Sequence, residues 1–171
     1  MDEVVFLTTG GTIDKDYPKV TKGWDFEIGN PAVPRIMERL SLPFSWRVTE
    51  VLRKDSQEIT DDDRERIKSV LAGETCDRVI ITHGTDTMLE TAAYIYQCVS
   101  RFSNRKVIVL TGAVRPERFS NSDAPINIGV ALAAVWLLDL EPGIYIAMNG
   151  LVIRWDKCVR DMETGHFVRK A

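Results

Sequence analysis

Short apolar runs recur along the chain at residues 4–7, 47–52, 79–81, 107–110 and 144–147, most of them rich in valine and isoleucine. Such β-branched runs fit a pleated backbone and predict strands. The runs at 79–81 and 107–110 show no alternation of apolar and polar positions, which predicts strands covered on both faces. Between the runs the period changes. Thr60 precedes Asp61, Asp62 and Asp63 and predicts a capped helix start running to Ala72, with Gly73 at its end. Residues 86–100 place Met88, Ala92, Ile95 and Val99 at three- and four-residue spacing, and residues 126–138 are apolar nearly all round, as a helix laid against a sheet would be. Strand and helix alternate, so the expected fold is α/β: a doubly wound, mostly parallel sheet with flanking helices, in a single domain spanning residues 1–171.

Residues 13–34 break this alternation. They hold Pro18, Gly23, Gly29, Pro31 and Pro34 with little periodicity, and a loop of that length in a compact domain is more often functional than accidental. In open parallel sheets ligands bind beyond the carboxyl ends of the strands. The polar residues that follow each run are therefore the ones to inspect: Thr8 to Thr12, Asp55 to Gln57, Thr82 to Thr87, Thr111 to Ala113, and Asn149 with Gly150.

Composition narrows the function. The chain has 171 residues, 44% of them hydrophobic, and a formal net charge of −3. A domain near 150 residues buries about two thirds of the surface of its unfolded chain, enough for a core without disulfides or a structural metal. Mild acidity and the lack of a dominant basic cluster argue against a nucleic-acid partner. Cys76, Cys98 and Cys158 stand far apart and suggest neither a disulfide framework nor a zinc site. The amino terminus does not read as a secretory signal, and the apolar stretch 126–138 is too short to span a bilayer. The expectation is a cytoplasmic protein with no membrane partner.

The strand-end residues lack the GxGxxG and GxxxxGK[ST] spacings that cradle phosphates, so a nucleotide site is disfavoured. They are rich in threonine instead. The pairs Gly11-Thr12 and Gly84-Thr85 follow different strands, and each sets a hydroxyl beside a backbone that a ligand can approach closely. Facing loops of this kind can provide a nucleophile and an oxyanion site.

The wording of these loops is more specific. Thr9-Gly10-Gly11-Thr12-Ile13 and Ile81-Thr82-His83-Gly84-Thr85-Asp86-Thr87 resemble the two signature motifs of the bacterial-type L-asparaginase family. Thr111 to Pro116, Ser122 to Asn127, and Met148-Asn149 are similar to that family in order and spacing, so the likeness covers nearly the whole chain. It covers the family's amino-terminal domain; the carboxy-terminal domain usual in the family is not in this sequence. The resemblance implies hydrolysis of L-asparagine, or a similar amide, to L-aspartate and ammonia through a β-aspartyl enzyme, with no metal and no cofactor. By motif, Thr12 would be the nucleophile and Tyr17, the tyrosine of the loop, its proton acceptor. Thr85 and Asp86 would form a second catalytic set with a lysine shortly after Met148-Asn149, where Lys157 stands. Gly11, Asp55, Ser56, Gln57, Gly84, Thr85 and Asp86 would bind the substrate, Asp86 facing its ammonium. The resemblance also implies a homo-oligomer, because in that family a neighbouring subunit closes the pocket.

Other residues invite plainer readings. His83 stands at a strand end before Gly84-Thr85 and reads as a loop-orienting group, not a base. Asp61 to Asp63 suit a helix start through its dipole better than a cation site. Trp136 belongs to the core, and Trp24 is a lid contact or a local anchor. A glutaminase or an amidase acting on a larger amide remains an alternative, as does a non-catalytic amino-acid-binding module.

Overall fold

The computed structural model describes residues 3–17, 26–97, 105–136 and 139–171. Trp24, Gly23, Cys98, Val99, Leu137 and Leu138 lie outside the described residues. The chain opens with β1 (Glu3–Gly10), turns through a 3-10 segment at Thr12–Asp14, and pairs β2 (Lys15–Asp16) with β3 (Glu27–Ile28). A short helix, α1 (Val33–Met37), leads to β4 (Ser45–Lys54). Then α2 (Asp61–Gly73), β5 (Arg78–Thr82), α3 (Met88–Tyr96), β6 (Val107–Thr111), α4 (Ala124–Trp136) and β7 (Gly143–Met148) alternate, followed by β8 (Leu151–Arg154), β9 (Cys158–Arg160) and β10 (Phe167–Arg169). The main sheet runs β4-β1-β5-β6-β7-β8, parallel throughout except for β8, which returns antiparallel to β7. This is the mostly parallel α/β sheet with flanking helices that the sequence pattern predicts.

The period-two side-chain alternation of a strand explains why both faces are apolar. Val5, Leu7, Val79, Ile81, Ile108 and Leu110 face α2 and α3, which contribute Ile67, Leu71, Met88, Ala92 and Ile95. Val4, Phe6, Ile80 and Val109 face the other way, toward Ile36 and Met37 of α1 and Ile128, Ala131 and Val135 of α4. Both clusters are nearly solvent-free, which is the burial that stabilises a parallel sheet. The start of α2 is as read from sequence: the Asp63 amide donates to Thr60 Oγ1 and the Thr60 amide to the Asp63 carboxylate, closing a capping box. Asp63 also takes an ion pair from Lys54, so the acidic run is engaged in capping and pairing.

Two features differ from the pattern. Helix α4 starts at Ala124 and turns Ile126 outward, 66% exposed, so its apolar surface is not wholly covered within the chain. The short α1, and the strands β8, β9 and β10, fall in stretches whose hydrophobicity has no clear period. No helix among the described residues is long and apolar enough to cross a membrane.

Parallel register fixes where function can sit. Thr8 pairs with Thr82 and Thr82 with Thr111, so β5 and β6 end level with one another, while β1 runs two residues further and its Gly10 pairs with Lys54 at the end of β4. The loops that follow these strands leave the sheet along one edge.

Candidate active site

Two glycines bring the loops into direct backbone contact. Gly11 has φ 84° and ψ −176°, a conformation essentially reserved for glycine. A β-carbon built on it would lie 2.5 Å from the Gly84 nitrogen, and one built on Gly84 would lie 2.6 Å from Ser56 Cβ. The loops after β1, β5 and β4 are therefore stacked as closely as backbones allow, and only residues without side chains permit it. The Gly11 amide donates to the Lys54 carbonyl at 2.9 Å, and Thr87 Oγ1 donates to the Ser56 carbonyl at 2.7 Å.

Stacking the glycines sets their threonines side by side. Thr12, Lys15, Asp55, Ser56, Gln57, Gly84, Thr85 and Asp86 line one cavity of about 340 Å³. Its polar groups are tied together. Lys15 Nζ donates to Asp55 Oδ2 at 2.8 Å, and that bond with the lysine holds the Asp55 carboxyl below the usual carboxylate range. Gln57 Nε2 donates to Asp86 Oδ2 at 2.6 Å, and Arg160 Nη1 to Asp86 Oδ1 at 2.5 Å. The Arg160 bond first, and the Gln57 bond second, depress the Asp86 carboxyl, so it stays anionic near neutral pH. The cavity thus joins three hydroxyls, two carboxylates and a lysine ammonium at the carboxyl edge of the sheet. That is a set able to attack a carbonyl and to hold an amino acid by both of its charges.

The chain as a whole resembles known proteins. The family model described as the asparaginase amino-terminal domain matches residues 3–166. The chain belongs to the asparaginase family. It is 27% identical over 176 residues to a glutaminase-asparaginase of Acinetobacter glutaminasificans, a match covering 96% of this chain and 50% of that protein. It is 27% identical over 160 residues to L-asparaginase 2 of Escherichia coli, covering 90% of this chain and 44% of that one. The solved thermostable L-asparaginase from Thermococcus kodakarensis superposes with a TM-score of 0.81 at 25% identity, over 98% of this chain and 51% of that chain. The chain spans about half the length of the relatives it matches.

Within this asparaginase-family domain, two of the residues anticipated from motif stand elsewhere. Tyr17 does not line the Thr12 cavity. It is 39% exposed, its ring stacks on Phe26 at 4.2 Å, and it borders a neighbouring cavity of about 500 Å³ with Asp16, Asn30, Arg53 and Arg118. Lys157 is exposed on the 3-10 turn that follows β8. Because β8 runs antiparallel to β7, pairing Tyr145 with Arg154, it carries the chain away from the site edge before Lys157 is reached. The cation placed on Asp86 is Arg160, at the end of β9, which travels back toward that edge. Lys15 is the other cation that motif reading passed over. Its signal was local: it follows Thr12 by three residues, the spacing at which side chains eclipse in a 3-10 turn.

Two buried titratable groups hold the loops from beneath. His83 is fully buried, with Nδ1 2.7 Å from the Gly84 carbonyl and Nε2 2.8 Å from Thr91 Oγ1. Burial pushes it down to about 4, so at neutral pH it is an uncharged brace, Nδ1 donating to the Gly84 carbonyl and Nε2 accepting from Thr91. Asp14, on the same 3-10 turn as Thr12, accepts from the Ala32 amide at 2.7 Å, and burial raises its carboxyl to about 7. A carboxyl raised from 3.8 to about 7 binds its proton more tightly in the folded state. Its stabilising effect is complete below about pH 4 and is lost as pH rises through 7. Asp14→Asn keeps the acceptor and removes the ionisation, so its melting temperature relative to wild type should climb between pH 5 and pH 8, by an amount equivalent to a few kcal/mol. Parallel melting curves for the two proteins across that range would contradict this reading of Asp14.

Proposed function

We propose that this domain is an amidohydrolase that converts L-asparagine to L-aspartate and ammonia through a β-aspartyl ester on Thr12. The observation that carries the proposal is the stacking of Gly11 on Gly84, which sets Thr12 and Thr85 in one polar cavity with Asp55 and Asp86. In this reading Thr12 Oγ attacks the side-chain amide carbon, and backbone amides near Thr12 and Thr85 receive the developing oxyanion. One such donor is commonly worth on the order of a hundredfold in rate. Asp86, kept ionised by Arg160 and Gln57, faces the substrate's ammonium, and Ser56 with neighbouring amides faces its carboxylate. Thr85 supports the reaction from the second loop, with Arg160 in the place that motif reading gave to Lys157.

Tyr17 takes up the Thr12 proton after its ring leaves Phe26 and turns over the cavity. Tyr17→Phe should lower the chemical rate by about a hundredfold or more with a smaller change in binding. An unchanged rate would remove the tyrosine from the mechanism. We also read the domain as part of a homo-oligomer, since Ile126 and Leu151 expose apolar surface on α4 and β8; light scattering over a dilution series measures this.

The test of function is to follow ammonia and aspartate from L-asparagine, with L-glutamine beside it. One methylene alters fit by about 1–3 kcal/mol, so the two amides should differ in kcat/KM by roughly 10- to 200-fold. Release of ammonia from neither amide would overturn the proposal.

A further inference from the structure

Amide hydrolysis needs a proton twice: once for the departing nitrogen, and once in reverse, when water attacks the ester. The groups around the cavity differ in their fitness for this. Asp55 and Asp86 are each tied to a cation and depressed, so they carry no proton to give near neutral pH. Arg160 is permanently charged, because a guanidinium does not release its proton in proteins. His83 faces Gly84 and Thr91 from below the loop and is neutral. Lys15 remains. Its amide donates to the Thr12 carbonyl, which closes the 3-10 turn and sets the two side chains on one face. Its ammonium lines the same cavity as both threonines, and Asp55 at 2.8 Å fixes its direction while occupying one of its three N–H groups.

We infer that Lys15 is the catalytic acid of this site, protonating the amide nitrogen as it leaves and then taking a proton from the attacking water. The inference rests on the Thr12 acyl-enzyme reading. In the first half, Thr12 Oγ bonds to the carbonyl carbon, and its proton passes to the acceptor. The C–N bond breaks, and Lys15 gives one proton to the leaving NH2, which departs as ammonia while Lys15 becomes an amine. In the second half that amine removes a proton from water, the resulting hydroxide attacks the ester, and Thr12 recovers its own proton from the acceptor. One water is consumed, and both groups return to their starting states. Asp55 acts through Lys15 and is a positioning residue.

The experiment compares L-asparagine with a small β-thioester of L-aspartate, whose thiolate leaves without needing a proton, in wild type, Lys15→Met and Lys15→Arg. Turnover of L-asparagine should fall by about a hundredfold or more in both variants, since general acid–base catalysis commonly contributes that much. First-turnover thiol release should stay within about tenfold of wild type, after which the ester on Thr12 should accumulate because the base for water is missing. Lys15→Arg retains the charge opposite Asp55 but cannot cycle a proton, so it should not rescue. Near wild-type amide turnover by Lys15→Arg, or equal losses on amide and thioester, would overturn the role of Lys15 while leaving Thr12 in place. A wild-type protein inert toward both substrates would overturn the acyl-enzyme reading itself, and the Lys15 role with it.

Discussion

Thr12→Ala should abolish ammonia release from L-asparagine while leaving the circular dichroism spectrum and melting temperature close to wild type. Thr12 is half-buried on a 3-10 turn, and its side chain makes none of the hydrogen bonds that hold that turn: these run from the Asp14 amide to the Gly11 carbonyl and from the Lys15 amide to the Thr12 carbonyl. A substitution that touches no core packing and no cap falls within about 0.5 kcal/mol of neutral. Its chemical effect is of another order, because removing the nucleophile removes the covalent path altogether. Losses of about 10⁶-fold accompany removal of a nucleophile that works as part of a unit. A folded Thr12→Ala protein that still turns over L-asparagine at a rate near wild type would assign the attack to another group.

Gly11→Ala should have the opposite character, a structural failure with a catalytic consequence. Its φ of 84° and ψ of −176° strain any residue with a β-carbon, and the added atom would overlap the backbone of Gly84 at 2.5 Å. Backbone on backbone leaves no flexible group to give way, so either the β1 loop or the β5 loop must move. The strain alone costs on the order of 1–3 kcal/mol, and the overlap adds to it. For a domain of this size the melting temperature should drop by roughly 5–15 °C. Because the shift separates Thr12 from Thr85, turnover should fall even at temperatures where the variant is fully folded. Differential scanning calorimetry beside an ammonia assay reads both effects, and a Gly11→Ala protein of wild-type stability and rate would mean that the two loops are not held in contact as described.

The parts of the molecule that could be read from sequence are those written in local signals. The unalternating runs at 79–81 and 107–110 announce strands covered on both faces because that burial is a property of the run itself. Thr60 and Asp63 announce the start of α2 because a capping box is closed within four residues. The Gly-Thr pairs were legible for the same reason, since each turn needs its glycine where it stands. Lys15 and Arg160 were harder, because their partners are distant in the chain: Lys15 meets Asp55 across 40 positions and Arg160 meets Asp86 across 74. Arg160 depends on β8 leading away from the site edge and β9 leading back, in a stretch with no hydrophobic period to announce either strand. Motif spacing placed the cation on the outward turn, at Lys157, where the chain points away. Tyr17 shows a related limit: its position in sequence suits Thr12, while stacking with Phe26 draws its ring toward a neighbouring cavity.

Trapping the ester tests the proposed chemistry at its decisive atom. The protein is mixed with L-asparagine, quenched in acid within the first turnovers, digested, and read by mass spectrometry. A gain of one aspartyl group on the peptide that carries Thr12, absent from Thr12→Ala and stronger in Lys15→Met when the β-thioester replaces L-asparagine, is the outcome that the Thr12 mechanism requires. Ammonia release with the aspartyl group on the peptide carrying Thr85, or with no covalent adduct in either wild type or Lys15→Met, would contradict it.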